Sequence, residues 1–130
     1  MKQVTIIIED KVGKLAKVLN VLAENKVNIE GISTERGPIS EVRLIVEDPA
    51  TTHTLLESSG FVVHLTEVLA ISLEDAPGTL SGIATRLAQN NVSIEYIYRT
   101  GSTNGAAKLI MSTSEDAETV RKHLKEFKIS

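Results

Sequence analysis

Residues 9–34, "EDKVGKLAKVLNVLAENKVNIEGIST", lie without a gap on residues 74–99, "EDAPGTLSGIATRLAQNNVSIEYIYR", at a shift of 65, half the 130-residue chain. Eleven of the 26 pairs are identical, among them Glu9/Glu74, Asp10/Asp75, Gly13/Gly78, Leu15/Leu80 and Leu22/Leu87. In the same register Leu44-Ile45 meets Leu109-Ile110. A self-match of this length marks a duplicated supersecondary unit, so one reading of the fold serves twice.

Each copy changes its hydrophobic period in the same order. "VTIII" (4–8) and "LAISL" (69–73) are short β-branched apolar runs, the pattern of strands. Leu15, Val18, Leu19 and Leu22 in one copy, and Leu80, Ile83, Ala84 and Leu87 in the other, follow the i, i+3, i+4, i+7 spacing of a helix with one buried face. A second strand, "VNIEGIS" (27–33) or "VSIEYIY" (92–98), leads through "RGPIS" (36–40) or "GSTNG" (101–105) into a third, "VRLIVE" (42–47) or "AKLIMS" (107–112). A shorter helix follows, carrying Leu55 and Leu56 or Ala117, Val120 and Leu124. "FVVHL" (61–65) closes the first copy with a fourth strand, whereas the second copy has only "EFKIS" (126–130) to do so. The order predicts two ferredoxin-like βαββαβ units of the α+β class, residues 1–66 and 67–130, each an antiparallel sheet with its helices on one face. No Gly-, Pro- or Ser-rich linker separates them.

Composition narrows the possible functions. With 42% hydrophobic and 24% charged residues the chain is globular in character. No apolar run approaches the roughly 20 residues that span a bilayer, and the first residues carry neither a signal nor a transit pattern, so a cytoplasmic protein is expected. Zero cysteines remove disulfides, thiol nucleophiles and the common structural zinc sites. A net charge of -3 without a basic block argues against nucleic acid as the main partner.

Glu-Asp occurs at 9–10, 47–48, 74–75 and 115–116, each where a strand gives way to a helix. At 47–48 and 115–116 the acids are read as helix caps. The copies at 9–10 and 74–75 differ, because a glycine follows three residues after the aspartate. An amino acid zwitterion needs unpaired N–H groups for its carboxylate, which a helix N-terminus supplies. It also needs an oxygen acceptor for its ammonium, which Asp10 or Asp75 could be. On spacing alone, turn chemistry explains the same residues.

With those residues in view, "EDAPGTLSGIATRLAQNNVSIEYI" resembles the ACT domain through Asp-x-Pro-Gly-x-Leu and the strand that follows, and "EDKVGKLAKVLNVLAENKVNIEGI" resembles a second copy. The resemblance implies a βαββαβ module that binds a small ligand, usually an amino acid, at an interface between paired modules. In metabolic enzymes such modules act as allosteric regulators. Carried over by position, the ligand loops are Asp10, Lys11, Val12, Gly13, Lys14 and Leu15, and Asp75, Ala76, Pro77, Gly78, Thr79 and Leu80. The family's polar residue opening the second strand falls on Asn28 and Ser93, each expected to reach a ligand held by a partner module's loop. Val12 stands where the family has proline and Ser93 where it has asparagine, so the second loop with Asn28 is the better expected site.

Catalysis is not expected. His53, His64 and His123 share no motif, and adjacent residues on a strand such as Glu74 and Asp75 point to opposite faces. "GSTNG" has three residues between its glycines where a phosphate-binding loop has four. An RNA-recognition module shares the βαββαβ order but stacks bases on aromatics of its first and third strands, and here those strands carry none. Tyr96 and Tyr98 sit on the second strand of one copy, on one sheet face, where packing is expected. The expectation is a non-catalytic regulatory protein without cofactor or metal, a homodimer that binds an amino acid or similar small carboxylate. It would act on a metabolic enzyme or on its own oligomeric state. The alternative is a ligand-free module that docks such an enzyme.

Overall fold

A computed structural model describes residues 1–127, with residues 102 and 103 described for their backbone alone. The chain divides into two compact units, 2–66 and 67 onward together with Met1. Met1 belongs with the second because its carbonyl accepts from Val68 N–H at 3.0 Å and its ammonium pairs with Glu67 at 2.8 Å.

The first unit runs β1 (Lys2–Ile8), α1 (Lys14–Glu24), β2 (Ile29–Glu35), β3 (Ser40–Val46), α2 (Pro49–Ser58) and β4 (Val62–Glu67). Its strands form a sheet in the order β2-β3-β1-β4. The second unit repeats the order as β5 (Leu69–Glu74), α3 (Thr79–Gln89), β6 (Ile94–Thr103), β7 (Ala106–Thr113) and α4 (Ala117–His123). Among the described residues its sheet has the order β5-β7-β6. Both are the ferredoxin-like arrangement that the hydrophobic periods predict. The expected closing strand "EFKIS" falls largely on residues 128–130, outside the described residues, while Glu126 and Phe127 form a turn and a bend after α4.

Each unit has its own core. Val4 and Ile6 of β1, Val18 and Leu22 of α1, Val42 and Leu44 of β3, Leu56 and Val63 fill the first. Leu69, Ile71, Ile83, Leu87, Leu109, Met111, Val120 and Leu124 fill the second. These are the positions of the strand alternation and of the helical stripe, so the two periods meet on one face of each sheet. Gly82 in α3 lets Phe127 lie against the helix, since a Cβ there would stand 3.2 Å from the ring. Arg86 covers the same ring at 5.6 Å from its centroid and pairs with Glu126 at 2.7 Å.

One hairpin differs from expectation. "GSTNG" is not a five-residue turn: β6 continues to Thr103, and the reversal is made by Asn104 and Gly105 alone, with φ of 53° and 77°. Two successive positive φ angles match the right-handed twist of the flanking strands, and Asn-Gly is the pair that adopts them most readily. Tyr96 and Tyr98 of β6 stack at 6.3 Å between ring centroids, across from Ser112 and Ile110.

The acids at 47–48 and 115–116 act as caps. Asp48 accepts from Thr51 N–H at 3.1 Å and Thr51 Oγ1 at 2.7 Å, and Asp116 accepts from Thr119 N–H at 2.9 Å and Thr119 Oγ1 at 2.8 Å. These bonds hold both carboxyls below their ordinary range.

Two outcomes follow from this packing and capping. Leu22→Ala and Leu87→Ala, each emptying a fully buried position, destabilise the fold by about 2 to 5 kcal/mol in chemical denaturation. Because the folded carboxyls titrate below their unfolded values, the caps stabilise above the ordinary aspartate pKa, and that contribution is lost as pH falls through the depressed values. The double variant Asp48→Asn/Asp116→Asn keeps an acceptor that does not titrate. Its thermal midpoint therefore falls less steeply than that of the parent between about pH 4 and pH 2.

Candidate functional site

The other two helices begin differently. α1 and α3 start at Gly13 and Gly78, with φ 89°, ψ -8° and φ 87°, ψ -15°, and neither has a side-chain cap. The hydrogen bonds before them repeat one for one: Lys11 N–H to Glu9 O and Lys14 N–H to Lys11 O in the first unit, Ala76 N–H to Glu74 O and Thr79 N–H to Ala76 O in the second. The two loops therefore share one backbone shape, although Val12 stands in one and Pro77 in the other. A left-handed glycine turns the chain sharply into the helix and leaves the first-turn N–H groups without a side-chain acceptor.

Asp10 and Asp75, freed from capping, meet arginines. Because β1 and β2 both pair antiparallel with β3, they run parallel to each other, and their C-terminal ends lie at the same end of the sheet. This brings Arg36, one residue past β2, to Asp10, with Nε donating to Oδ2 at 2.8 Å. In the second unit β5 and β6 both pair with β7, and Arg99 of β6 meets Asp75 at 2.9 Å and 3.5 Å through its two terminal nitrogens. The arginines are not equivalent in the repeat: the register places Arg36 against Gly101 and Arg99 against Thr34. A shift in the β6 register between Arg99 and Gly101 accompanies the change. The same contact has thus been made from two different positions.

Each pair sits on the wall of a cleft. The first, about 180 Å³, is lined by the 9–13 loop with Ile8 and Leu15, by Thr34, Glu35 and Arg36, and by Ser40, Glu41 and Val42. The second, about 260 Å³, is lined by Leu73, Glu74, Asp75, Ala76, Thr79, Leu80, Arg99, Ala107 and Leu109. Glu9 is hydrogen-bonded to Lys11 at 2.8 Å, which, aided by the charges of Lys11 and Lys14, lowers the glutamate's pKa and in turn raises that of Lys11. The Asp10 carboxylate raises that of Arg36. Asp75 and Arg99 each keep about half of their side-chain surface exposed, whereas Arg36 keeps 82%, so the second pair is the more enclosed.

Of the expected site residues, Asp10, Lys11, Gly13 and Leu15 line the first cleft, and Asp75, Ala76, Thr79 and Leu80 the second. Lys14 faces a neighbouring cleft of about 580 Å³ bounded by Lys17, Ile39 and Phe61. Val12 is fully exposed, and Pro77 and Gly78 shape the second loop without lining its cleft. Asn28 and Ser93 are exposed and precede β2 and β6, at the end of each sheet opposite the acidic loops. The Ser93 backbone is held instead by Ser114, whose Oγ accepts from Ser93 N–H at 2.9 Å. Arg36, Arg99 and Ser40 were missed in the sequence; the one signal for the arginines is a base near the end of the second strand in both copies.

The model of the family described as the ACT domain pair matches residues 1–129. The chain belongs to this family. Among solved structures, the ACT pair is similar to protein BT0572 from Bacteroides thetaiotaomicron, with 31% identity, a TM-score of 0.88, and coverage of 99% of this chain and 89% of that one. The regulatory subunit of aspartate kinase from Thermus thermophilus matches at 20% identity and a TM-score of 0.69, over 95% of this chain and 88% of that one. Its Thermus flavus counterpart matches at 20% identity and 0.64, over 96% and 90%. No curated protein matches by sequence. Among the described residues, no cluster of three or more His, Asp and Glu side chains is placed to hold a metal ion, and no helix is long and apolar enough to cross a membrane.

The shared loop shape of the ACT pair yields a test. A Cβ on Gly13 or Gly78 meets nothing within 4 Å, so the left-handed backbone alone opposes substitution. Gly13→Ala and Gly78→Ala each lower stability by about 1 to 2 kcal/mol in urea denaturation, with equal costs in the two loops despite the proline in one.

Proposed function

We propose that this ACT pair is a non-catalytic, cytoplasmic regulator that binds amino acids in the clefts beneath its two β–α loops. The observation that supports it best is the half-exposed Asp75–Arg99 pair, echoed by Asp10–Arg36. An aspartate beside an arginine at the mouth of a small cleft is the charge complement of a zwitterion, whose ammonium and carboxylate are separated by a single carbon. Exposed ion pairs contribute little to stability, so such a pair opens at small cost. Each charge then regains a partner of opposite sign, and the guanidinium receives a carboxylate in its preferred forked geometry. The uncapped starts of α1 and α3 add backbone N–H groups at the same place.

The charges of both Asp–Arg pairs still face solvent, which leaves room for a second copy of the chain to complete each site. In that homodimer Asn28 and Ser93, remote from their own acidic loops, would serve the clefts of the partner copy. Regulation then follows if ligand binds one assembly state more tightly than another, whether that state is a dimer or a complex with a metabolic enzyme. The similar Thermus proteins are regulatory subunits of aspartate kinase, which is in keeping with an enzyme partner.

Thermal scans against the twenty amino acids test the proposal. A true ligand at a hundred times its dissociation constant stabilises the fold by about 2.7 kcal/mol. The shift is abolished in the double variant Asp10→Ala/Asp75→Ala and reduced by Arg99→Met. If no amino acid moves the midpoint at millimolar concentration, the reading falls, and a ligand-free docking module takes its place.

A further inference from the structure

Beneath the first loop, one polar group is buried without a partner. Ser40 opens β3 directly across from Ile8 and is only 7% exposed. Its hydroxyl has no hydrogen-bond partner among the described residues, yet the side chain lines the Asp10 cleft beside Ile8, Leu15 and Val42. A buried hydroxyl in that position carries a desolvation cost with no compensating bond, and native structures retain few such groups.

The charged groups of the same cleft are already satisfied. Glu9 is held by Lys11, Asp10 by Arg36, and Glu35 and Glu41 by Arg43 at 2.6 Å and 3.0 Å. What the cleft still offers in its floor is a neutral group that both donates and accepts. The second cleft has no buried equivalent. At a shift of 65, Ser40 corresponds to Gly105, and apart from the partly exposed Thr79 on the first turn of α3 the uncharged walls there are Leu73, Ala76, Leu80, Ala107 and Leu109, so no buried hydroxyl faces that cleft. The two sites therefore share an Asp–Arg pair at the mouth and differ at the depth where a ligand side chain would rest.

We infer that the two clefts select different amino acids: the Asp10 cleft takes a small one whose side chain carries a hydroxyl or amide, read by Ser40, and the Asp75 cleft takes an apolar one. The inference rests on the amino-acid reading proposed above. Cleft sizes agree with it, about 180 Å³ for the polar site and about 260 Å³ for the apolar one. A ligand hydroxyl or amide over Ser40 gains the bond that an apolar side chain cannot make, so the site favours it, whereas the second cleft has no buried hydroxyl to repay desolvation of a ligand's own.

Calorimetric titration with threonine and valine, nearly equal in shape, isolates the hydroxyl, and serine against alanine repeats the comparison. In the parent protein, threonine binding is lost in Asp10→Ala and kept in Asp75→Ala, and valine binding shows the reverse. Ser40→Ala weakens threonine by roughly tenfold, the scale of one hydrogen bond, and leaves valine in the second cleft unchanged. Removing an unbonded hydroxyl should leave the fold intact. Should alanine fail there, Ser40→Gly installs the residue found at the equivalent position and reads the same ratio. If the threonine-to-valine ratio is unmoved by either variant, or if both ligands depend on the same aspartate, the selectivity inference is overturned while amino-acid binding stands. If no amino acid gives heat or a thermal shift with the parent protein, both fall together.

Discussion

The antiparallel pairing of one central strand with two neighbours governs the rest of the molecule. β3 pairs with β1 and β2, and β7 pairs with β5 and β6, so the two outer partners of each central strand must run parallel. Parallel neighbours end on the same side. The loop that leaves the first strand therefore lies beside the end of the second strand, and an aspartate in one meets an arginine in the other. The helix between them crosses one face and places its apolar stripe on the sheet, which is what makes the pairing stable enough to fix the loop.

The duplicated units show which parts of that arrangement tolerate change. Backbone shape at the β–α loop is the same to within a few degrees at its glycine, whether valine or proline precedes it. The arginine contact is also kept, but from positions that do not correspond in the repeat, Arg36 just beyond a strand and Arg99 within one. An exposed ion pair needs only that two long side chains reach the same point, so several origins serve. By contrast, the position that brings the Ser40 side chain to the first cleft is Gly105 in the repeat and does not line the second.

Four Glu-Asp sequences at strand-to-helix junctions serve two purposes, and the following residues separate them. Where a threonine stands three positions after the aspartate, the carboxylate caps the helix, as at Asp48 and Asp116. Where a glycine stands there, the helix starts at that glycine and the carboxylate is released to a distant arginine, as at Asp10 and Asp75.

The sequence by itself determined the duplication, the order of elements in each unit, the buried faces of the helices and the two acidic loops. All of these are local or periodic properties, carried by residues within a few positions of one another. It overstated the length of the second hairpin turn, because Asn104 and Gly105 alone supply the conformation that a tight reversal needs. Only the tertiary structure decided that Arg36 and Arg99 answer the two aspartates, that Asn28 and Ser93 stand at the far end of their own sheets, and that Ser40 is buried under a loop. Those facts depend on which strand lies beside which, and on what covers a residue 30 positions distant in the chain. Strand adjacency is a property of the folded sheet, and no short window of residues contains it.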